Sequence, residues 1–362
     1  MTDESYIKLA LEIAKKGRGN VSPNPMVGAI LVKNEKIIGA GFHEHFGGNH
    51  AEINAIQNAK QDVAGSTLYV NLEPCSHYGK TPPCTEAIIK NKIKKVVIGT
   101  LDMNPLVSGS GIRALKDAGI EVKVGVLENE CVALNKFFFK HISKQLPYVT
   151  LKVAQTLDGR IADLSGDSKW ITSLNSRRYV HDLRSQYDAV LVGTKTVKID
   201  DPNLTVRFIE GRNPKRVVVD SSLKLNLKLK LFVNNIDGNL LLLTSRKSAD
   251  KKRKLEKLKA LGVEVLFVKE NKDGTLNLKH ALEELGKNKI SSVLVEGGRK
   301  IYTSFIKEGL FDDMVVFISP KIIGEGLPAV DKLGIHSIRK SMKLRVRTVE
   351  KLGEDVLIEL TK

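Results

Sequence analysis

Cysteine is scarce, with three in 362 residues. So odd and small a number excludes a disulfide scaffold and is expected of a chain kept in a reducing cytosol. No apolar run approaches the roughly 18–20 residues that span a bilayer. The first residues, Met1-Thr2-Asp3-Glu4-Ser5, lack the basic start of a secretory signal. A cytoplasmic protein without a membrane partner is therefore expected. There is no internal repeat, no low-complexity stretch and no G-x-S-x-G nucleophile elbow. Acidic residues are also in deficit, 41 against 58 basic, for a net charge of +17.

What is present is ordinary for a folded chain: 42% hydrophobic and 27% charged residues. The length suggests two domains at roughly 150 residues each, and Pro147 after a helical stretch with three phenylalanines marks a boundary. The expected domains are 1–145 and 146–362. The first carries 18 basic and 14 acidic residues, the second 40 and 27. Much of that excess lies in Arg246–Lys259, with eight basic and two acidic residues. Leu255, Leu258 and Leu261 share a helical face there and no aromatic is interleaved, so a solvated helix is expected and a nucleic-acid surface is not.

Apolar spacing of Tyr6, Leu9, Ala10 and Ile13 predicts a first helix over about 4–16. Strands are expected at Ala29–Val32, Ile37–Phe42, Thr67–Leu72, Val96–Thr100 and Glu121–Val126, with helices near 50–60, 83–91 and 110–118. This alternation predicts a three-layer α/β domain. The second half repeats the theme, with strands from Tyr148–Ala154 to Met314–Ile318 and a closing hairpin of Leu344–Thr348 with Val356–Leu360.

Two segments of the first half carry chemistry: His50-Ala51-Glu52, and the loop from Pro74-Cys75 to Pro83-Cys84. One imidazole nitrogen and two thiolates fill three corners of a tetrahedral Zn²⁺ site and leave the fourth for water. Zn²⁺ lowers the pKa of such a water to about 7. Glu52 falls two residues after a ligand at an expected helix start, where it can shuttle a proton without binding metal. Zinc nucleobase deaminases share this logic in H-x-E…P-C-x-x-C, although the second cysteine here arrives nine residues after the first. Cys131 has no ligand partner nearby in sequence and reads as core. Gly109-Ser110-Gly111-Ile112-Arg113-Ala114 matches a dinucleotide fingerprint but begins nine residues after its strand ends, so it reads as a helix start without ligand.

Pro23-Asn24-Pro25-Met26-Val27-Gly28, His50-Ala51-Glu52 and the long Pro-Cys…Gly-Lys-Thr-Pro-Pro-Cys loop resemble the bifunctional riboflavin biosynthesis deaminase–reductases. The resemblance implies a cytidine-deaminase-like domain followed by a dihydrofolate-reductase-like α/β domain. It implies hydrolytic deamination of a phosphoribosylamino-pyrimidinone, then NADPH-dependent reduction of its ribosyl group to ribityl. On the matching positions His50, Cys75 and Cys84 become ligands of one Zn²⁺ and Glu52 the proton shuttle. Asn24, His77 and Lys80 become substrate contacts of the deaminase.

In the second half, Leu157-Asp158-Gly159-Arg160, Asp200-Asp201-Pro202 and the strand-to-glycine unit Val293–Gly298 resemble the reductase half of that family. The resemblance implies that NADPH is lined by Ala154, Trp170, Thr196, Asp200, Ser221 and Gly298, with Arg299, Lys300, Ile301, Tyr302, Thr303 and Ser304. Ser168, Arg184, Leu204, Arg207 and Glu296 would face substrate, with Arg184 and Arg207 suited to its phosphate through their bidentate guanidinium groups. Partners are expected to be a small phosphorylated pyrimidine and further copies of the chain, without nucleic acid. The competing readings are a tRNA deaminase with a basic RNA-binding domain, and a structural zinc module with His77 as fourth ligand.

Overall fold

The computed structural model describes all residues except 79–81 and 105–107, so Lys80 lies outside the described residues. The chain divides into two compact units, Met1–Gln145 and Leu146–Lys362.

Unit 1 opens with α1 (Asp3–Ala14). The Thr2 hydroxyl accepts the Ser5 amide at its start, and Asp3 and Glu4 lie at the positive end of its dipole. Its buried face is Tyr6, Ile7, Ala10, Leu11 and Ala14, rotated from the predicted stripe, and Leu9 and Ile13 are only half-buried. Next come β1 (Gly28–Lys33), β2 (Lys36–Phe42), α2 (Ala51–Gln57), β3 (Thr67–Leu72), α3 (Cys84–Lys90) and β4 (Lys95–Thr100). Then α4 (Ser110–Asp117), β5 (Glu121–Val124), α5 (Glu128–Leu134) and α6 (Lys136–Lys144) complete the unit. The sheet order is β2-β1-β3-β4-β5, with β3, β4 and β5 parallel and the first two pairings antiparallel.

Side chains alternate across these strands, as the pleat requires. Leu68, Val70, Val96 and Ile98 pack with residues of α2, α3 and α4, whereas Tyr69 and Val97 pack with α1 and with Cys131 of α5. The result is the expected three layers, with Cys131 in the core.

Unit 2 begins with β6 (Tyr148–Thr156), β7 (Arg160–Ala162), α7 (Leu174–Gln186), β8 (Ala189–Gly193) and α8 (Thr194–Asp200). It continues through β9 (Lys215–Val219), α9 (Lys230–Val233), β10 (Leu240–Ser245), α10 (Lys252–Ala260), β11 (Glu264–Val268) and α11 (Leu278–Lys287). The last elements are β12 (Ser292–Gly297), α12 (Arg299–Lys307), β13 (Asp313–Ser319), β14 (Leu327–Pro328), β15 (Arg345–Leu352) and β16 (Asp355–Thr361).

A nine-stranded sheet runs β11-β10-β9-β8-β12-β6-β13-β16-β15. It is parallel from β11 to β13, and the β15–β16 hairpin adds antiparallel. Strand order reverses where β12 inserts between β8 and β6, and such a switch point opens a crevice at the strands' carboxyl ends. A bulge in β12 leaves Glu296 without a ladder partner on β8, between the pairs Val295–Leu191 and Gly297–Val192. β7 and β14, which the sequence patterns do not predict, form a separate two-stranded ribbon. The basic stretch forms a short 3-10 turn and α10, whose one buried residue is Leu258. Among the described residues no helix is long and apolar enough to cross a membrane.

Candidate active sites

In unit 1, β3 and β4 end beside the starts of α2 and α3, and the potential metal donors converge there. His50 is the residue before α2, and Cys84 opens α3. His50 Nδ1 lies 3.2 Å from Cys84 Sγ and 3.4 Å from Cys75 Sγ. Tetrahedral zinc ligands at about 2.0 and 2.3 Å from the metal stand roughly 3.6 Å apart, so the spacing fits one Zn²⁺. All three ligand atoms lie within 4.8 Å of one another, and this is the one such group among the described residues. His77 is exposed and outside it, so among the described residues of the loop no fourth donor completes a closed structural site.

The local chain fixes these donors in several ways. The Thr85 amide donates to the Cys75 carbonyl (3.2 Å) and the Cys84 amide to Cys75 Sγ (3.3 Å), so the start of α3 faces the sulfur. The hydrogen bond from Cys84, reinforced by His50, holds the Cys75 thiol down at about 4, while that same bond and burial push Cys84 up. The Cys75 hydrogen bond raises His50. Glu52 is buried, and desolvation raises its pKa against the pull of His50, as suits a carboxyl that must take and return a proton.

Behind the loop, the buried Glu73 carboxylate accepts four backbone amides: Asp102 (3.2 Å), Gly109 (3.0 Å), Gly111 (3.0 Å) and Ile112 (3.3 Å). A carboxylate thus occupies the start of α4, which explains why the G-x-G-x-x-A match is no dinucleotide site. A Cβ at Gly111 would stand 2.1 Å from the Pro74 carbonyl oxygen, so this glycine lets α4 close on the Cys75 loop.

Asn24 is held near the same end. The buried Asn71 and Asn135 clamp Met26, with amide-to-Oδ1 bonds at 2.8 Å to Gly28 and Met26. Asn24 Nδ2 then lies 3.2 Å from His43 Nε2, and the His43 ring meets that of His50 edge-on at 5.5 Å. Neither His43 nor Glu73 is evident from sequence, since a single histidine or glutamate carries no spacing signal.

In unit 2 a cavity of about 680 Å³ opens at the carboxyl ends of β6, β8, β9 and β12, within the range of ligand sites. Of the residues expected around NADPH, Ala154, Trp170, Thr196, Asp200 and Ser221 line it, as do Gly298, Arg299, Lys300, Ile301, Tyr302 and Ser304. Thr303 does not: its hydroxyl donates to the Arg299 carbonyl and accepts the Asp331 amide. Gly297 would place a Cβ 2.7 Å from Val192 Cα, so its bare backbone permits the close β8–β12 approach. Neither α8 nor α12 has a side-chain cap.

Of the residues expected at substrate, Ser168, Arg184, Leu204 and Glu296 line the cavity. Arg207 is exposed and is not among the lining residues. Arg184 departs from the expectation of a free phosphate ligand. It is buried, with Nε 2.6 Å from Glu296 Oε1, Nη2 2.8 Å from Oε2 and Nη1 donating to the Thr205 carbonyl. The fork is spent on a carboxylate that the β12 bulge aims at it. Burial opposes ionisation of Glu296, but Arg184 and the nearby Lys152, at 3.8 Å, hold it down at about 2. Lys152, also on the wall, has its pKa lowered by burial. Its hint in the sequence is a lysine within the otherwise uncharged run from Tyr148 to Thr156.

Comparison with known proteins covers both units. Residues 1–100 match the cytidine and deoxycytidylate deaminase zinc-binding region, and residues 147–358 the RibD C-terminal domain. The riboflavin biosynthesis protein RibD of Aquifex aeolicus is 50% identical over 357 residues, covering 98% of this chain and 97% of its own. That of Escherichia coli is 36% identical over 374 residues, covering 99% of each. A solved Thermotoga maritima structure, a diaminohydroxyphosphoribosylaminopyrimidine deaminase/5-amino-6-(5-phosphoribosylamino)uracil reductase, has 43% identity and a TM-score of 0.88, over 99% of this chain and 98% of that one. With the second unit matched as a RibD domain, a tRNA deaminase carrying an RNA-binding domain is not favoured. The chain belongs to the RibD family of bifunctional riboflavin biosynthesis enzymes, in which a zinc-dependent deaminase is joined to a reductase.

Proposed function

We propose that the unit spanning 1–145 deaminates 2,5-diamino-6-(5-phosphoribosylamino)pyrimidin-4(3H)-one to 5-amino-6-(5-phosphoribosylamino)uracil. The unit spanning 146–362 then reduces the ribosyl side chain of that product to ribityl with NADPH. The observation that carries the first half is the convergence of His50, Cys75 and Cys84 with a buried Glu52 beside them. Zn²⁺ held by these three residues would act as a Lewis acid that acidifies a water. Glu52 keeps its proton carrier out of bulk solvent, takes a proton at its carboxylate and delivers it to the departing amine. Asn24 and His77 contact the pyrimidine, with Asn24 oriented by His43, and Lys80 is a third substrate contact.

In the second unit the glycine approach at Gly297–Gly298 and the uncapped starts of α8 and α12 support a dinucleotide along Thr196, Ser221 and residues 298–302 and 304. NADPH bound there would supply the reducing equivalents. Lys152, Arg184 and Glu296 form a buried charged floor that orients the opened sugar and excludes water. Substrate is a small phosphorylated pyrimidine, and no nucleic acid is involved: the basic helix α10 is a solvated face. The enzyme works in the cytoplasm as a homo-oligomer, a reading that rests on its family and its three free cysteines.

The test follows ammonia release and NADPH oxidation separately on purified, zinc-loaded protein. Glu52→Gln is expected to keep its zinc and abolish ammonia release, while still oxidising NADPH when the deaminated intermediate is supplied. No ammonia from the wild type sinks the first assignment. No NADPH oxidation with the intermediate sinks the second.

A further inference from the structure

The basic stretch that neither active site uses is fastened to the rim of the unit 2 cavity. Residues 246–259 carry eight basic and two acidic side chains. Their anchor is Ser221, which follows β9 and lines the cavity. The Ser221 carbonyl accepts the Ser245 amide at 3.1 Å and the Ser248 hydroxyl at 3.2 Å. Lys251 Nζ donates to the Ser222 carbonyl and Lys254 Nζ to that of Leu225, each at 2.6 Å. The segment therefore borders the cavity on the side of β9 and β10, next to a residue expected at the cofactor.

Most of its charge is uncancelled. Lys247 pairs with Glu270 at 2.5 Å, and the other seven cations form no ion pair among the described residues. Lys251 and Lys254 end on carbonyls, which accept a hydrogen bond without neutralising the ammonium. Against Asp250 and Glu256 within the stretch, and Asp220 acting on Lys254, the seven leave a positive excess. Lys252, Arg253, Lys257 and Lys259 are exposed, and the one buried residue of α10 is Leu258. The cavity wall continues the same sign, with six basic and three acidic side chains.

This arrangement supplies a field rather than a pocket. No aromatic is interleaved on which a base could stack. The reach of exposed charges is about 8 Å at 0.15 M salt and about 30 Å at 0.01 M. Charge of one sign around a low-dielectric cleft speeds the encounter with opposite charge by about 10- to 1000-fold. NADPH, with three phosphoryl groups, feels such a field more than the singly phosphorylated pyrimidine does. We propose that residues 246–259 are an electrostatic guide that draws the polyanionic dinucleotide into the cavity. This rests on the reductase reading above.

Trp170 is the sole tryptophan and lines the cavity, so energy transfer from it to NADPH reports binding in stopped flow. In the wild type the association rate constant is expected to fall about 10-fold or more between about 0.02 M and about 0.5 M sodium chloride, with the dissociation rate little changed. The test variant combines Lys252→Glu, Arg253→Glu and Lys257→Glu, on side chains off the cavity wall. Glutamates suit the first turn of α10, so the helix is kept. At low salt this variant is expected to bind NADPH about 10-fold more slowly than the wild type, and at high salt the two should converge. The corresponding Gln variant falls between. An association rate indifferent to salt in the wild type overturns the proposal. So does a variant slowed equally at every salt concentration, or one altered in dissociation alone, because either marks a contact and not a field. A wild type that binds no NADPH at any salt concentration overturns the cofactor reading itself, and the proposal with it.

Discussion

Glu73→Ala probes how the zinc loop is held. Its carboxylate accepts four amides from the 102–112 segment, two of them in fully buried bonds, from Asp102 and Gly111. Removing the acceptor orphans those two donors at about 1–3 kcal/mol each, while the two part-buried ones are open to water. The expected loss is about 2–6 kcal/mol, a large share of a typical domain's stability of about 5–15 kcal/mol. The damage is local, because Glu73 is continuous with Pro74-Cys75 and α4 closes on that turn through Gly111. Zinc content, by atomic absorption after dialysis, is expected to fall well below one per chain, with the urea midpoint of unit 1 lowered. Glu73→Gln keeps one acceptor oxygen but turns an amide N–H₂ towards two donors, so about half the loss is expected. NADPH oxidation on supplied intermediate serves as the control from unit 2. Full zinc and an unchanged midpoint in Glu73→Ala would refute the reasoning. A lower midpoint with full zinc would show that Glu73 fastens α4 without positioning Cys75.

Three further outcomes are expected. Glu296 is depressed to about 2 from an unfolded value of about 4.3, a gap worth about 3 kcal/mol. This stability is present above the unfolded pKa and lost as pH falls through the folded one. The difference in urea stability between wild type and Glu296→Gln should therefore shrink on acidification from about pH 5 to pH 2, and a pH-independent difference contradicts the ion pair. Gly297→Ala puts a Cβ 2.7 Å from Val192 Cα and should cost about 1–3 kcal/mol, with weaker NADPH binding by fluorescence titration and normal ammonia release. Cys131→Ser buries a hydroxyl at about 1–3 kcal/mol yet should leave zinc content at one per chain, since Cys131 is core rather than ligand.

Strands and the candidate metal donors were legible because their signals are local. Thr67–Leu72 is a continuous apolar-rich run bounded by polar residues, and it is β3 as read. His50, Cys75 and Cys84 announce themselves by chemistry: few residue types bind zinc, and each cysteine follows a proline. Helix faces were less legible. In α1 the apolar residues outnumber one stripe, so only packing on the sheet decides that Ile7, Leu11 and Ala14 go inside while Leu9 and Ile13 stay half out.

Pairings between distant residues belong to the tertiary structure alone. Arg184 and Glu296 are 112 residues apart, and nothing near either says that one neutralises the other. That contact pairs Arg184 with Glu296 on the cavity wall. Likewise the G-x-G-x-x-A segment has the composition of a dinucleotide turn, and only the arrival of Glu73 from 36 to 39 residues away fills it. The sequence by itself determined which atoms could do chemistry, because ligand type, turn residues and apolar period are properties of short segments. The tertiary structure decided which charges remain free, because a charge is spent or available only according to what folding brings within about 3 Å of it.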